Sequence, residues 1–167
     1  MQKPKISHLA RTKRILRYLN GTLDYGILFP TVDEGKECKL VGYIDSSWCS
    51  DVKDRKSTAG YVFILGGAPV AWNSRKDPVV ALSSCESEYI IASLYACKAT
   101  WMVNLVEEIT TKNHGAITMK IDNMSTINLA KNQITHGRSK HIGMRFHYLC
   151  KQVADGKLNL EHCKTEN

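Results

Sequence analysis

The sequence predicts an α/β domain built on one open sheet, and three observations predict this class. Short apolar segments of strand type recur along the chain, and longer segments with helical periodicity lie between them. Ser83, followed three residues later by Glu86, forms a capping-box pattern at the start of the longest helical segment. At 167 residues, the chain is most simply one domain with a core of its own.

The first predicted element is a basic, amphipathic helix that is followed by a turn-rich linker. Its apolar face carries Leu9, Thr12, Leu16 and Leu19. Asn20-Gly21 is a typical helix end. A mitochondrial presequence has the same basic character, but a structural helix is the preferred interpretation. We therefore divide the chain into residues 1–30, an N-terminal helix and linker, and residues 31–167, the α/β domain.

The remaining elements follow the order β-β-β-α-β-α-α-β. The predicted strands are residues 38–45, 59–65, 68–72, 117–122 and 157–163. Gly66-Gly67 is a hairpin signal between the second and third strands. Shorter helices are predicted over residues 125–131 and 140–154. In the long helix, a stripe at helical spacing is predicted to face the core: Ile90, Leu94, Cys97, Trp101 and Leu105.

The charge balance indicates which class of partner the chain can bind. The chain has 23 Lys and Arg against 16 Asp and Glu, a formal net charge of +7. Such a surface suits a polyanion such as nucleic acid, although a basic domain without a polyanionic partner has the same composition. No apolar stretch approaches the roughly 20 residues of a membrane helix, so we expect no membrane partner.

The six cysteines form no C-x-x-C pair and no Cys/His zinc spacing. We therefore expect reduced thiols, no zinc, and a cytoplasmic or nuclear protein that is not secreted.

Three acidic residues are placed to meet at one edge of the predicted sheet. Asp45 and Asp122 each end a predicted strand, and Glu86 opens the long helix between them. Ligands of an open α/β sheet bind at the carboxyl ends of its strands. Carboxylates gathered there repel one another unless a cation offsets the charge, and Mg²⁺ suits such ligands. Paired metals support phosphodiester hydrolysis.

Asp45 has no capping or turn role that demands an acid, whereas Asp122 and Glu86 each have an ordinary structural interpretation. Asp122 is suited to cap the short helix that follows it. A capping box explains Glu86 fully without any metal. Glu88 is interpreted as a solvated helix residue.

Several basic and aromatic residues are candidates for contacts with nucleic acid. The candidate phosphate contacts are Arg55, Lys56, Arg138, Lys140 and Arg145. His136 and His141 are candidate proton shuttles, with a surface or capping role as the alternative. Trp48 and Tyr61 could stack on a base or sugar, although core packing is preferred for Tyr61.

Five segments follow one another in the order seen in a known family. They are residues 13–19 (KRILRYL), 51–61 (DVKDRKSTAGY), 81–89 (ALSSCESEY), 121–123 (IDN) and 139–142 (SKHI). In the last four segments the chain resembles the ribonuclease H domain of copia-type LTR retrotransposon reverse transcriptase polyproteins, and residues 13–19 resemble the connection helix just upstream of it. Residues 1–30 resemble the connection that precedes that domain.

The resemblance implies a fold, a site and a reaction. The fold is ribonuclease H-like, with a five-stranded mixed sheet in the order 3-2-1-4-5 and helices on both faces. Asp45, Glu86 and Asp122 would bind two Mg²⁺ or Mn²⁺ ions and hydrolyse the RNA strand of RNA–DNA hybrids.

The chain also departs from the family pattern. The family's fourth metal-binding Asp lies in a helix beyond the fifth strand, and the sequence stops at Asn167 before it. We therefore expect that the C-terminal helix is absent and that the second ion binds weakly. Ser47 and Gly143 stand where the family usually has Asp.

The leading expectation is a monomeric, metal-dependent endoribonuclease that hydrolyses RNA in duplexes. RNA–DNA hybrid is the substrate that the resemblance implies. Double-stranded RNA is a variant, because A-form duplexes are recognised by shape and 2′-hydroxyl groups. A transposon-derived antiviral nuclease used by a host is one biological setting for that variant. The alternative is a catalytically weak or inactive domain that binds nucleic-acid duplexes.

Overall fold

The computed structural model describes residues 5–31, 38–51, 53–132 and 143–164, with backbone only for residues 143–146. The strands are β1 (Leu40–Ser47), β2 (Thr58–Leu65), β3 (Ala68–Lys76), β4 (Ile117–Ile121) and β5 (Leu158–His162). The helices are α1 (Ile6–Asn20), α2 (Ser84–Thr110), α3 (Met124–Lys131) and α4 (Gly143–Ala154). The predicted order of elements is confirmed.

The five strands form one mixed sheet in the order β3-β2-β1-β4-β5. The pairs β1–β2 and β2–β3 are antiparallel. The pairs β1–β4 and β4–β5 are parallel. The predicted order of the sheet is therefore confirmed. Because β1, β4 and β5 run in the same direction, their carboxyl ends meet at one edge of the sheet.

Strand β3 is longer than predicted. It continues to Lys76, because it pairs with β2 from Leu65 opposite Ala68 to Thr58 opposite Lys76. Its second half, Asn73 to Lys76, is polar and exposed and lacks the apolar alternation that identifies a strand in sequence. Ladder pairing with β2 therefore decides the length of β3.

One face of the sheet forms the core beneath the helices. Alternate residues of β1 are buried, beginning with Leu40 and including Ile44. At Gly42, a Cβ atom would lie 2.6 Å from the ring of Phe63. This position needs glycine, because the fully buried Phe63 ring already fills the space.

The core-facing surface of α2 differs from the predicted stripe. Cys97 is exposed, as is about half of Trp101, while Lys98 Nζ lies 3.7 Å from the Trp101 ring centroid. The buried face instead carries Ile91, Ala92, Tyr95, Ala96, Ala99, Met102 and Val103. Its alanines allow close approach to β1, because the side chains at a contact set the packing distance. The prediction is confirmed for Ile90, which is buried, and for Leu94, which packs against the core. It was wrong for Cys97, Trp101 and Leu105, because small residues that it passed over line the buried face.

The opposite face of the sheet carries a row of exposed residues, with the half-buried Lys120 among them. Cross-strand register joins Trp72, Val62, Tyr43, Lys120 and Glu161 across all five strands. Helices α2, α3 and α4 contact one another and lie on the buried face. Among the described residues, the helical layer thus covers one face, whereas the resemblance implied helices on both faces.

Helix α1 begins at Ile6 and ends at Asn20, as the Asn20-Gly21 signal predicted. None of its residues is buried, so its apolar side chains are exposed. The proposed division between residues 1–30 and 31–167 stays a prediction.

Contrary to the expectation that no apolar stretch approaches the length of a membrane helix, helix α2 is long and apolar enough, by length and composition alone, to cross a membrane. In the fold, more than half of its most apolar window is buried. This is the burial expected of a core helix. No other helix among the described residues meets the same criteria.

Candidate active site

Asp45 and Asp122 lie at the same edge of the sheet. Asp45 is the third residue from the end of β1, and it pairs with Gly60 of β2. Asp122 directly follows β4, and the parallel register pairs Tyr43 with Lys120. When that register is continued by two residues, Asp45 is opposite Asp122. Neighbouring strands are about 4.8 Å apart. Both side chains are exposed at this edge.

The third carboxylate at this edge is Glu88 of α2, which is only 7% exposed. Asn123 Nδ2 donates a hydrogen bond to Glu88 Oε1 at 3.3 Å. The buried Glu88 Oε2 accepts no hydrogen bond from the described residues. Burial and, after it, the proximity of Asp122 and the weaker charge of Asp45 together raise the pKa of Glu88 to about 7, although the hydrogen bond from Asn123 lowers it. Glu88 therefore faces both strand-end aspartates.

Glu86 has a different position and a different role. Ser83 Oγ accepts a hydrogen bond from Glu86 N at 3.1 Å, which caps α2. Glu86 Oε2 in turn accepts a hydrogen bond from Leu82 N at 2.7 Å. The geometry thus matches the capping interpretation of Glu86.

The prediction that Glu88 is solvated is wrong, because α2 turns this residue toward the sheet edge. Glu88 takes the place beside Asp45 and Asp122 that the sequence interpretation gave to Glu86. Helical spacing alone does not distinguish the two acids, because Glu86 and Glu88 each lie three and four residues before buried residues of α2. The burial of Glu88 itself places it on the core face of α2. An acid on a core face, unlike one in a capping box, calls for a functional explanation.

The residues next to the carboxylates hold them in place. The buried hydroxyl groups of Ser46 and Ser87 hydrogen-bond to each other. Each serine is adjacent in sequence to a site carboxylate, the first to Asp45 and the second to Glu88. Thr126 Oγ1 of α3 also donates to Cys85 O of α2 at 3.2 Å. The relative positions of β1, α2 and α3 are thereby set close to the site.

Asn123, rather than Asp122, caps helix α3. Its Oδ1 accepts hydrogen bonds from Ser125 N at 2.9 Å and from Thr126 N at 3.3 Å. The capping alternative for Asp122 is therefore wrong, because the next residue supplies the cap. Asn123 serves two elements, since its amide nitrogen also donates to Glu88.

The carboxylates fit a divalent cation by charge and by donor type. Oxygen ligands of Asp and Glu suit Mg²⁺ and Mn²⁺, and the buried Glu88 Oε2 lacks a donor among the described residues. In the part of the chain that the structure describes, no three His, Cys, Asp or Glu side chains are grouped closely enough to hold a metal as they stand.

Two predicted phosphate contacts, Arg55 and Lys56, lie in the loop between β1 and β2, at the same edge as Asp45. Arg55 is exposed, and Lys56 is half-buried. Arg138, Lys140, His136 and His141 lie outside the described residues. The side chain of Arg145 does so as well, although its backbone is part of α4.

Trp48 and Tyr61 differ in their surroundings. Trp48 is about half exposed, and its Nε1 donates to Ala81 O at 3.0 Å, which leaves ring surface open near the site. Tyr61 packs against the core, with its ring centroid 4.4 Å from that of Tyr95. Core packing was the preferred interpretation of Tyr61, and it is confirmed.

His162, at the end of β5, was not singled out from sequence. Its Nε2 lies 3.0 Å from the backbone oxygen of Asp122. His162 is therefore next to the edge of the sheet at which the carboxylates lie. The parallel pairing of β5 with β4, which a sequence pattern does not show, brings it there.

No family model matches the chain. Among curated proteins, the chain is 34% identical over all of its 167 residues to the Pol polyprotein of transposon RE2 of Arabidopsis thaliana. It is 33% identical over 160 residues to that of transposon TNT 1-94 of Nicotiana tabacum. It is 44% identical over 99 residues, 59% of the chain and 68% of the relative, to secreted RxLR effector protein 161 of Plasmopara viticola. The chain spans 11% and 12% of the two polyproteins.

Similar solved structures share the fold at low sequence identity. A foamy viral protease-reverse transcriptase in complex with double-stranded DNA matches 99% of the chain and 25% of its own, with a TM-score of 0.57 and 16% identity. The same viral protein with an RNA/DNA hybrid matches 99% of the chain and 20% of its own, with a TM-score of 0.51 and 17% identity. The RNase H domain of Rv2228c of Mycobacterium tuberculosis matches 76% of the chain and 83% of its own, with a TM-score of 0.52 and 11% identity.

The sheet order, its helical layer and these structural neighbours define a protein with a ribonuclease H-like fold. The relatives that match along the whole chain specify the branch. The chain belongs to the ribonuclease H domain family of copia-type retrotransposon Pol polyproteins.

Proposed function

We propose that this domain is a metal-dependent endoribonuclease that hydrolyses the RNA strand of nucleic-acid duplexes. The observation that carries the proposal is Glu88, a buried carboxylate that faces Asp122 and Asp45 at the carboxyl edge of the parallel strands. A fold gains little from burying an acid beside two others, because each negative charge disfavours the next. A site for divalent cations accounts for that arrangement.

Asp45, Glu88 and Asp122 are the residues that would hold Mg²⁺ or Mn²⁺. When bound, such cations activate water and neutralise charge on the reacting phosphodiester oxygens. The protein supplies orientation, because Asn123 fixes one oxygen of Glu88 and the Ser46–Ser87 hydrogen bond joins the strand to the helix. The burial of Glu88 limits competing water, which strengthens its interaction with a cation.

The proposed substrate is RNA–DNA hybrid, with double-stranded RNA as the variant to be tested beside it. Two of the structurally similar complexes, both of a foamy viral protein, contain a nucleic-acid duplex, one double-stranded DNA and one RNA/DNA hybrid. The net charge of +7 suits contacts to phosphate groups. Recognition of 2′-hydroxyl groups would confine cleavage to substrates with an RNA strand.

The test is a cleavage assay on three labelled duplexes of the same sequence: hybrid, double-stranded RNA and DNA. Each is incubated with Mg²⁺, with Mn²⁺ or with EDTA. We expect metal-dependent cleavage of RNA-containing duplexes, and loss of cleavage in Asp45→Asn and Asp122→Asn with duplex binding retained. Equal cleavage of the DNA duplex would refute the substrate assignment. Full activity of either variant would refute the site.

The second candidate function is a duplex-binding domain without catalysis. It is favoured by the fact that no three ligating side chains, among those the structure describes, already lie together at metal-binding distance. The same assay separates the two functions. Duplex binding without cleavage in either metal would support the binding domain.

A further inference from the structure

The loop between β1 and β2 is attached to the end of β3 by one lysine. Lys76, the last residue of β3, contacts two aspartates of this loop with its ammonium group. Its Nζ atom forms a salt bridge with Asp51 Oδ2 and another, at 2.7 Å, with Asp54 Oδ2. The Lys76 ammonium group thus bridges two positions of the loop.

Each aspartate uses its second oxygen to shape the loop itself. Asp51 Oδ1 accepts a hydrogen bond from Lys53 N at 2.8 Å, and Asp54 Oδ1 accepts one from Lys56 N at 3.2 Å. Arg55 N also donates to Asp51 O at 2.8 Å. Both carboxylates are therefore shared between the loop backbone and Lys76, so the ion pairs and the loop conformation depend on each other.

The loop conformation includes a backbone that favours glycine. Arg55 has φ of 55°, a left-handed conformation that is strained for a residue with a Cβ atom. This conformation sits within the network formed by Asp51, Asp54 and Lys76. Glycine would be unstrained at this position, so the strain is consistent with a use of the arginine side chain.

Lys76 lies at the same edge as the carboxylates. Thr58 of β2 is opposite Lys76 on one side and opposite Ser47 of β1 on the other. Lys76 is thus two strand spacings, about 10 Å, from β1 and from the neighbourhood of Asp45. The major groove of B-form DNA is about 12 Å wide, so a duplex bound over Asp45 is wide enough to extend to this loop.

The ion pairs of Lys76 affect the charge and the conformation of the β1–β2 loop more than the free energy of unfolding of the domain. The three side chains are about 40% exposed, and exposed ion pairs contribute little to stability. The hydrogen bond from Lys76 nevertheless lowers the pKa of Asp51 to about 2. Lys76 also offsets two negative charges that would otherwise repel phosphate groups next to Arg55 and Lys56.

We propose that Lys76 is a positioning residue, which holds the β1–β2 loop so that Arg55 and Lys56 contact the phosphate backbone of the duplex. Lys76 itself does not contact the substrate. The inference rests on the proposed function, since it assigns part of the binding of the duplex to this loop.

The experiment compares Lys76→Met and Lys76→Arg with the parent and with a control, Lys98→Met. The control removes the same charge from α2, where Lys98 lies over the Trp101 ring. Amide hydrogen exchange of Lys53, Arg55 and Lys56 is measured without nucleic acid. The Kd for hybrid is measured in EDTA, and kcat is measured with metal at saturating hybrid.

For Lys76→Met, we expect loop amides to exchange about tenfold faster, with no change in β2. The Kd should rise about fivefold, while kcat stays within about twofold of the parent. Lys76→Arg should behave as the parent, because its guanidinium group can pair with both aspartates. The control should change the Kd by less than about twofold.

Two results would overturn the inference while leaving the proposed function intact. The first is unchanged exchange of the loop amides in Lys76→Met. The second is a Kd that rises no more than in the control, although the loop has loosened. If the parent binds no duplex, the proposed function and this inference both fail, and the exchange data then report only the structure of the loop.

Discussion

Ser46 and Ser87 donate and accept a single buried hydrogen bond between their hydroxyl groups, which joins β1 to α2. Ser87 is fully buried, and Ser46 is 9% exposed. Because Asp45 precedes the first serine and Glu88 follows the second, this contact sets the distance between two carboxylates from different elements. The arrangement of the candidate site is thus supported by neighbours that carry no charge.

We expect Ser87→Ala to destabilise the domain by about 1–2 kcal/mol, because the buried hydroxyl of Ser46 loses its partner. The double variant Ser46→Ala/Ser87→Ala should cost less than the sum of the single variants, since it removes both polar groups. Chemical denaturation of the four proteins measures the coupling. Additive costs would show that the two hydroxyl groups do not depend on each other.

Glu88→Gln and Glu86→Gln separate the two acids of α2. We expect Glu88→Gln to reduce metal-dependent cleavage by on the order of 100-fold or more, because a charged ligand is lost. Glu86→Gln should keep activity within about threefold, since glutamine also fits a capping box. Initial rates on hybrid, with circular dichroism to check folding, give the comparison. The opposite ranking would return the metal role to Glu86.

Without metal, Asp122→Asn should be as stable as the parent or more stable. The substitution removes a negative charge that opposes ionisation of Glu88. With Mg²⁺ the parent should gain more stability than the variant, because only its full site binds the ion tightly. Thermal melts in EDTA and in Mg²⁺ measure both differences. A variant that is clearly less stable in EDTA would show that Asp122 has a structural role instead.

The stability of the metal-free domain should fall as the pH rises from about 4.5 to about 7. Burial, with the charge of Asp122, raises the pKa of Glu88 from 4.5 to about 7. In this window the folded state holds a proton that the unfolded state has released, so the slope of unfolding free energy against pH is negative. The contribution of the raised Glu88 pKa to the free energy of unfolding is complete below pH 4.5 and is lost above pH 7.

Glu88→Gln supplies the control for this dependence, since glutamine does not titrate. Denaturation in EDTA at several pH values should show a flatter profile for Glu88→Gln than for the parent. Parallel profiles would mean that Glu88 does not titrate in this window.

Asn123→Ser tests the residue that serves both α3 and Glu88. Serine is a good N-cap, so stability should stay within about 1 kcal/mol of the parent. It is too short to replace the amide donor to Glu88 Oε1. We expect metal affinity to fall about tenfold, as for other groups that orient a ligand. Isothermal titration with Mn²⁺ measures this directly, and unchanged affinity would remove Asn123 from the site.

Local sequence signals determined much of this protein. Hydrophobic alternation and the Gly66-Gly67 turn located the strands, and Asn20-Gly21 located the end of α1. These signals act between residues close in the chain, so they can be read without the tertiary structure. Asp45 and Asp122 were identified in the same way, because each ends an apolar strand segment.

Only the tertiary structure decided which acid of α2 joins them. Glu86 and Glu88 are two residues apart on one helix, which turns them about 200° from each other. The capping box uses the first, and the packing of α2 against β1 directs the second to the sheet edge. The length of β3, the core face of α2 and the contact of Lys76 with the β1–β2 loop likewise depend on residues distant in sequence. Such contacts form only when strands pair and helices pack, so no local pattern encodes them.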